Sequence, residues 1–389
     1  MLHTVVARSL VAIGLPVLCL SLVACGDDEP APLEPEGPAL TLEYAGSETC
    51  AECHSVIAAE ESKSGHPYKL NQVVNGQPPT YPFSSVPNPP SGYTWDDVLY
   101  VIGGFGWKAR FVGLDGYIIT QGGLNQYNLA TGEWVDYHTD ELKPYDCGRC
   151  HTTGFNEFGN QDNLPGIDGS WAEPGITCEE CHGPGSLHIL SPSTVPMTID
   201  TRSESCGACH NRGGVNNAIP AKGGFIRHHE QFNEMASAGH AVLECVTCHD
   251  PHKTVRYDDP SVVNAIYLDC ADCHKDAQAS LDSAPLGLAG KMLGVTCEDC
   301  HMPYESKSAV AFDTYVGDVM THIFKINKDV AAEPFTPDGA FANPYVTLEF
   351  ACLGCHNDED KAWAAANAPD IHGPNFSSLR AVAPRTRTF

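Results

Sequence analysis

Sixteen of the eighteen cysteines in this chain fall in eight Cys-x-x-Cys-His runs, and no other feature restricts its folding as strongly. The runs are Cys50-x-x-Cys53-His54, Cys147-x-x-Cys150-His151, Cys178-x-x-Cys181-His182 and Cys206-x-x-Cys209-His210. Then come Cys245-x-x-Cys248-His249, Cys270-x-x-Cys273-His274, Cys297-x-x-Cys300-His301 and Cys352-x-x-Cys355-His356. Chance would supply roughly 0.04 such pentads at this composition. The spacing is that of covalent haem attachment: two thiols add across porphyrin vinyl groups and the adjacent imidazole binds the iron. A zinc knuckle or a redox Cys-x-x-Cys could account for one run, not for eight. The runs predict eight covalent c-type haems, numbered here as sites 1 to 8 in chain order.

The cysteines outside these runs are Cys19 and Cys25. Arg8, the apolar stretch Leu10 to Val23 and the small residues that follow predict an export signal over 1–24, too short for a confident membrane span. Leu22-Val23-Ala24-Cys25 reads as a lipobox, with Cys25 acylated after cleavage. Residues 25–42 are rich in Pro and acid and predict a solvated tether, at about 3.1 Å per residue roughly 40–50 Å long. The expected product is an exported bacterial lipoprotein on the periplasmic face of the outer membrane or at the cell surface. Covalent haem attachment, which takes place outside the bacterial cytoplasm, agrees with export.

The formal charge is −27, which excludes nucleic acid as a partner because no basic stripe exists to neutralise phosphates. With roughly 45 residues per haem, the porphyrins themselves must form much of the apolar interior. The expected fold is therefore mainly α with low regular secondary structure, built around the haems over 43–389. A small β-hairpin segment follows site 1 within 43–140, and sites 2 to 8 occupy 141–375. Lys108 to Val112 and Tyr117 to Thr120 flank an Asp115-Gly116 turn; Asn125 to Leu129 and Glu133 to Tyr137 flank Thr131-Gly132. Gly175 to His182 and Gly294 to His301 are near-copies, a fragment of internal repetition.

An iron with two protein ligands shuttles electrons, whereas an open sixth position can bind substrate. Beyond the eight motif histidines and His3 in the export signal, nine remain as distal candidates: His66, His138, His188, His228, His229, His240, His252, His322 and His372. Nine imidazoles for eight positions favour ligation throughout. His228 and His229 are adjacent and rarely would both reach one haem; His138 sits beside a hairpin.

The sequence resembles the multihaem cytochromes grouped around tetrahaem cytochrome c and hydroxylamine oxidoreductase. The likeness is carried by Ser47-x-x-Cys50 with Ser64-Gly65-His66, by His182-Gly-Pro-Gly-Ser-Leu-His188, and by His229-Glu-Gln-Phe-Asn-Glu234 followed by His240. His249-Asp-Pro-His252 and Gly317-Asp318-x-x-x-His322 add to it. The resemblance implies that distal histidines serve neighbouring haems, and it assigns that role to His66, His188, His229, His240, His252, His322 and His372. Eight haems with a nearly matching supply of histidine point to electron transfer, a lipid-anchored relay between periplasmic donors and an outer-membrane, extracellular or enzyme acceptor, working with redox partner proteins and with no catalytic residue of the chain itself. Two alternatives are an octahaem oxidoreductase acting on a small nitrogen or sulfur species at a haem lacking a sixth ligand, and a subunit of a polymeric filament. Two departures stand out: the chain is shorter than the catalytic octahaem enzymes, and no motif carries Lys in place of His.

Overall fold

The computed structural model describes residues 42–212, 218–237, 239–257, 265–283, 292 and 294–372. The expected export signal, Cys25 and nearly all of the tether lie outside the described residues. None of the described helices is long and apolar enough to cross a membrane.

The gap between sites 1 and 2 has no haem to fill it, and here the chain builds its own core. Seven strands, β1 (Leu70–Gln72), β2 (Val98–Gly103), β3 (Lys108–Gly113), β4 (Tyr117–Ile118), β5 (Gln126–Asn128), β6 (Glu133–Val135) and β7 (Lys143–Pro144), form one sheet. Its order is β1-β2-β3-β4-β7, with β5 joining β3 to β6, and every pairing is antiparallel. The Asp115-Gly116 turn sets Val112 opposite Ile118, and the turn before β6 sets Tyr127 opposite Trp134.

Side chains along a strand alternate between faces, and β3 uses both. Ala109 and Phe111 face a cluster with Val73, Val98, Val101 and Ile119, covered by Trp95 and Trp134. Val112 faces the other side, with Leu70, Tyr100, Ile102, Ile118, Tyr145 and Trp171, and against this cluster pack Tyr137 and Cys147. Lys108 and Arg110 share the face of Val112. Arg110 is thereby turned toward the site 2 motif, and the Lys108 ammonium beside it donates to the Ser308 carbonyl.

The expectation of a mainly α chain is corrected. Strands 219–222 and 225–227 form a hairpin flanked by 341–342 and, in parallel, by 306–307. This second sheet has its own core of Ile219, Phe225, Ile226, Ile323, Val346 and Phe350. Helices stay short because a motif needs only one turn: Cys, Cys and His at i, i+3 and i+4 fall on one helical face. Cys178–His182 and Cys297–His301 are such single turns, and the longest described helix, Lys361–Ile371, has 11 residues.

Candidate haem sites and a buried cationic pocket

All sixteen motif cysteines are free thiols. An imidazole nitrogen lies about 2.0 Å from a metal it binds, with its ring centroid about 1.15 Å farther, so two rings on one iron stand about 6.3 Å apart. Six motif histidines have another imidazole near that separation. His54 faces His188 at 6.3 Å, His182 faces His252 at 6.2 Å, and His301 faces His372 at 6.2 Å. His249 faces His322 at 6.1 Å, and His274 faces His240 at 5.8 Å. His210 has two neighbours, His66 at 6.4 Å and His229 at 5.9 Å, of which one iron could take only one. Each facing imidazole comes from a segment outside the motif it faces. Among the described residues no group of three or more His, Cys, Asp or Glu converges on a metal-sized site; the histidines meet in twos across a gap.

Ring orientation fits the same chemistry. A ligating imidazole presents one nitrogen to the metal and donates from the other. The Nδ1 atoms of His188, His301 and His151 lie 2.8, 2.7 and 3.1 Å from the carbonyl oxygens of Val195, Phe324 and Lys69. That leaves Nε2 for iron. Burial depresses these imidazoles toward the neutral form that a metal needs: His66, His151 and His322 to about 3, and His210 to about 4. The donor set therefore fits haem at these positions.

The sites are also contiguous. Attachment thiols of different sites touch: Cys50 with Cys178, Cys150 with Cys209, Cys206 with Cys245, and Cys270 with Cys297. Cys181 lies near Cys206, Cys248 near Cys273, and Cys300 near Cys352 and Cys355. These contacts connect sites 1, 3, 4, 5, 6, 7 and 8 in one path, with site 2 joined at site 4.

Two motif histidines stand apart. Among the described residues no imidazole is paired with His151 or His356 at an iron-bridging separation. His356 is exposed and its ring neighbour is Trp363, 4.7 Å away. His151 is instead surrounded by cations. Lys69, Arg212 and Arg110 all act on it. His228, which follows strand 225–227, is held down to about 2 by burial and by Lys108, Arg212 and Arg110. His229 lies between His228, His210 and His151. Arg110 stacks on Tyr137, with its guanidinium carbon 3.5 Å from the ring centroid, and its Nε donates to Gln126 at 2.8 Å. Burial together with Arg110 pushes Lys108 down to about 7, and burial pushes Lys69 to about 8.

The sequence reading had no place for Lys69, Lys108, Arg110, Arg212 or Tyr137. Alternation along β3 puts Lys108 and Arg110 on one face, but only the fold shows that Cys147 lies opposite. His138 is not beside any motif histidine; its partners are Glu141 and Tyr137.

Residues 125–183, which hold sites 2 and 3, match the family described as cytochrome c554 and c-prime. The chain is 26% identical over 303 residues to the dissimilatory sulfite reductase MccA of Wolinella succinogenes, covering 60% of this chain and 41% of that protein. To the multihaem cytochrome MtrA of Shewanella baltica it is 27% identical over 173 residues, 41% of this chain and 46% of that one. It thus spans less than half the length of either relative. Among solved structures, the outer cell wall cytochrome OcwA superposes with a TM-score of 0.53 at 18% identity, covering 84% of this chain and 86% of that one. The octahaem sulfite reductase MccA superposes with 0.57 at 20% identity, covering 80% and 65%. At such identities the structural likeness is one of fold.

Proposed function

We infer that this chain, a multihaem c-type cytochrome, serves as an electron relay with eight covalent haems. Haem iron would supply the one-electron chemistry; the protein sets distance, ligation and surroundings. The observation that carries the reading is the succession of neighbouring attachment thiols, touching between sites 1 and 3, 4 and 5, and 6 and 7 and near one another between sites 3 and 4, 5 and 6, and 7 and 8. Six imidazole pairs support it, because a centre ligated on both sides changes oxidation state without exchanging a ligand. In this reading His66, His188, His240, His252, His322 and His372 are sixth ligands to sites 4, 1, 6, 3, 5 and 7. Acylated Cys25 would hold the protein to a membrane, and the charge of −27 would steer a basic donor or acceptor. Replacing His322 with Ala should convert one ferric haem from low to high spin, read by EPR. An unchanged low-spin signal rules out the assignment of His322 to site 5.

One observation favours a second reading for site 2 alone. Two guanidinium groups, Arg110 and Arg212, stand by His151 and His228, with Lys69 beside the first and Lys108 beside the second, their ammonium groups lowered by burial to about 8 and about 7. Two haem propionates could answer two of these charges, which leaves buried positive charge for a further anion. The relative MccA is a sulfite reductase, and a small oxyanion such as sulfite suits these residues in charge. In that case site 2 is where the relay meets a substrate, Arg110 and Lys108 bind the oxyanion, and His228, held neutral by burial and by these cations, stands beside it as a hydrogen-bonding group. Sulfite should then change the ferric high-spin spectrum of the holoprotein. No spectral response at millimolar sulfite returns site 2 to pure electron transfer.

A further inference from the structure

We propose that His138 ligates the haem iron of a second copy of this chain, completing site 8 on the neighbour's His356. This rests on the reading of eight covalent haems.

Every histidine except His3 lies within the described residues, so the ligand inventory can be followed to its end. Seven non-motif imidazoles face six motif partners, His66 and His229 sharing His210. His228 and His229 lie in the pocket around His151. His138 alone sits at the surface and away from every motif histidine, with 43% of its side chain exposed. His356 is also exposed, and the ring beside it, Trp363, carries an indole that only donates and cannot bind iron. Of the imidazoles left without an iron, His138 is the one at the surface, and of the two motif histidines without a facing imidazole, His151 and His356, His356 is the exposed one.

His138 is built to ligate. Its Nδ1 lies 2.6 Å from Glu141 Oε2. A carboxylate only accepts, so Nδ1 carries the hydrogen and the lone pair of the neutral ring sits on Nε2. Carboxylate, imidazole and metal in this order are the usual arrangement around a metal-bound histidine. The backbone is held with equal care. His138, Leu124 and Asp140 have φ of +48°, +44° and +59°, left-handed values that a non-glycine residue rarely adopts. Cross-links hold the corner: Leu124 N–H donates to Asp136 at 2.8 Å, Gly122 N–H to Asp140 at 2.9 Å, and Asp140 N–H to the Thr120 carbonyl at 3.0 Å. A solvated surface histidine gains nothing from such a frame. Leu124 and Leu142, exposed at 58% and 73%, give this corner an apolar rim.

The contact would be heterologous, corner to site 8, and would repeat from copy to copy. Site 8 ends the thiol path, and the His138 corner adjoins site 2 through Tyr137 and Cys147. Each junction would therefore connect one relay to the next. At −27 per chain, copies repel one another through solvent, so screening by salt should strengthen association rather than weaken it.

The test follows the oligomeric state of the holoprotein by sedimentation velocity, and its spin state by ferric EPR, from dilute to concentrated solution at high salt. Larger species should appear together with conversion of one haem per chain from high to low spin. His138→Ala should abolish both changes while retaining eight haems by pyridine haemochrome, and Glu141→Gln should weaken association by roughly 10- to 100-fold. Free imidazole should restore the low-spin signal of His138→Ala without restoring assembly. Wild-type protein that stays monomeric throughout overturns the proposal. So does a His138→Ala monomer whose dilute spectrum differs from wild type, because His138 would then ligate an iron of its own chain. A haem count below eight in the wild type would instead defeat the reading on which the proposal rests.

Discussion

Replacing Cys206 and Cys209 with serine should leave seven haems and divide the relay into three. Site 4 is the junction of the whole arrangement. Cys206 touches Cys245 of site 5 and lies near Cys181 of site 3, while Cys209 touches Cys150 of site 2. Among the described residues no other site has thiols beside three neighbouring sites. Without it, sites 1 and 3, site 2, and sites 5 to 8 become separate groups. A photoreductant tethered beside His54 should reduce the near group, while the others stay oxidised on the timescale in which the wild type is fully reduced. The control is Cys352→Ser with Cys355→Ser, which also leaves seven haems but removes only the terminal site; its reduction should run through all that remain. If the site 4 variant holds seven haems and still reduces throughout at the wild-type rate, the path runs elsewhere.

The second large effect concerns the pocket at His151. Arg110→Gln should weaken sulfite binding to the ferric holoprotein by roughly 10- to 150-fold, the equivalent of about 1.5–3 kcal/mol for a hydrogen bond to a charged group. Arg110 is held from both sides, by the Tyr137 face at 3.5 Å and by Gln126 at 2.8 Å, so little side-chain freedom is lost when an anion binds. Arg110→Lys should not rescue it, because an ammonium lacks the planar fork and the stacking surface. Titration followed in the Soret band reads both variants. Wild-type affinity in Arg110→Gln would show that the cations around His151 serve haem propionates alone.

How much of this was legible in the sequence differs from residue to residue. The Cys-x-x-Cys-His runs reveal themselves because attachment is local: one helical turn brings both thiols and the imidazole to one face. Facing histidines are chosen over long range. His188 reaches His54 from 134 residues along the chain, and nothing in the spacing of either residue selects the other. The composition does expose the pool from which such partners are drawn. Nine imidazoles against eight positions favour full ligation, while the structure places His228 and His229 around one motif histidine and His138 at the surface. A count weighs numbers and is blind to place.

The strand content was underestimated for a related reason. Porphyrins were expected to supply the interior everywhere, but the stretch between sites 1 and 2 lies beyond their reach and buries Phe111, Val101 and Ala109 instead. Lys108 and Arg110 look like ordinary solvated strand residues until Cys147 is found across from them. Their meaning depends on a contact between β3 and a motif dozens of residues later. Period-2 alternation separates the faces of a strand and says nothing of which one meets a haem.

The central claim is that six haems are ligated by histidine on both sides and that two, at His151 and His356, are not. Quantitative EPR of the dilute ferric holoprotein, free of added anions, tests it directly. Six low-spin centres and two that are high-spin or bind added ligand are expected per eight haems. Eight low-spin bis-histidine centres in the monomer, or fewer than six, would contradict the account.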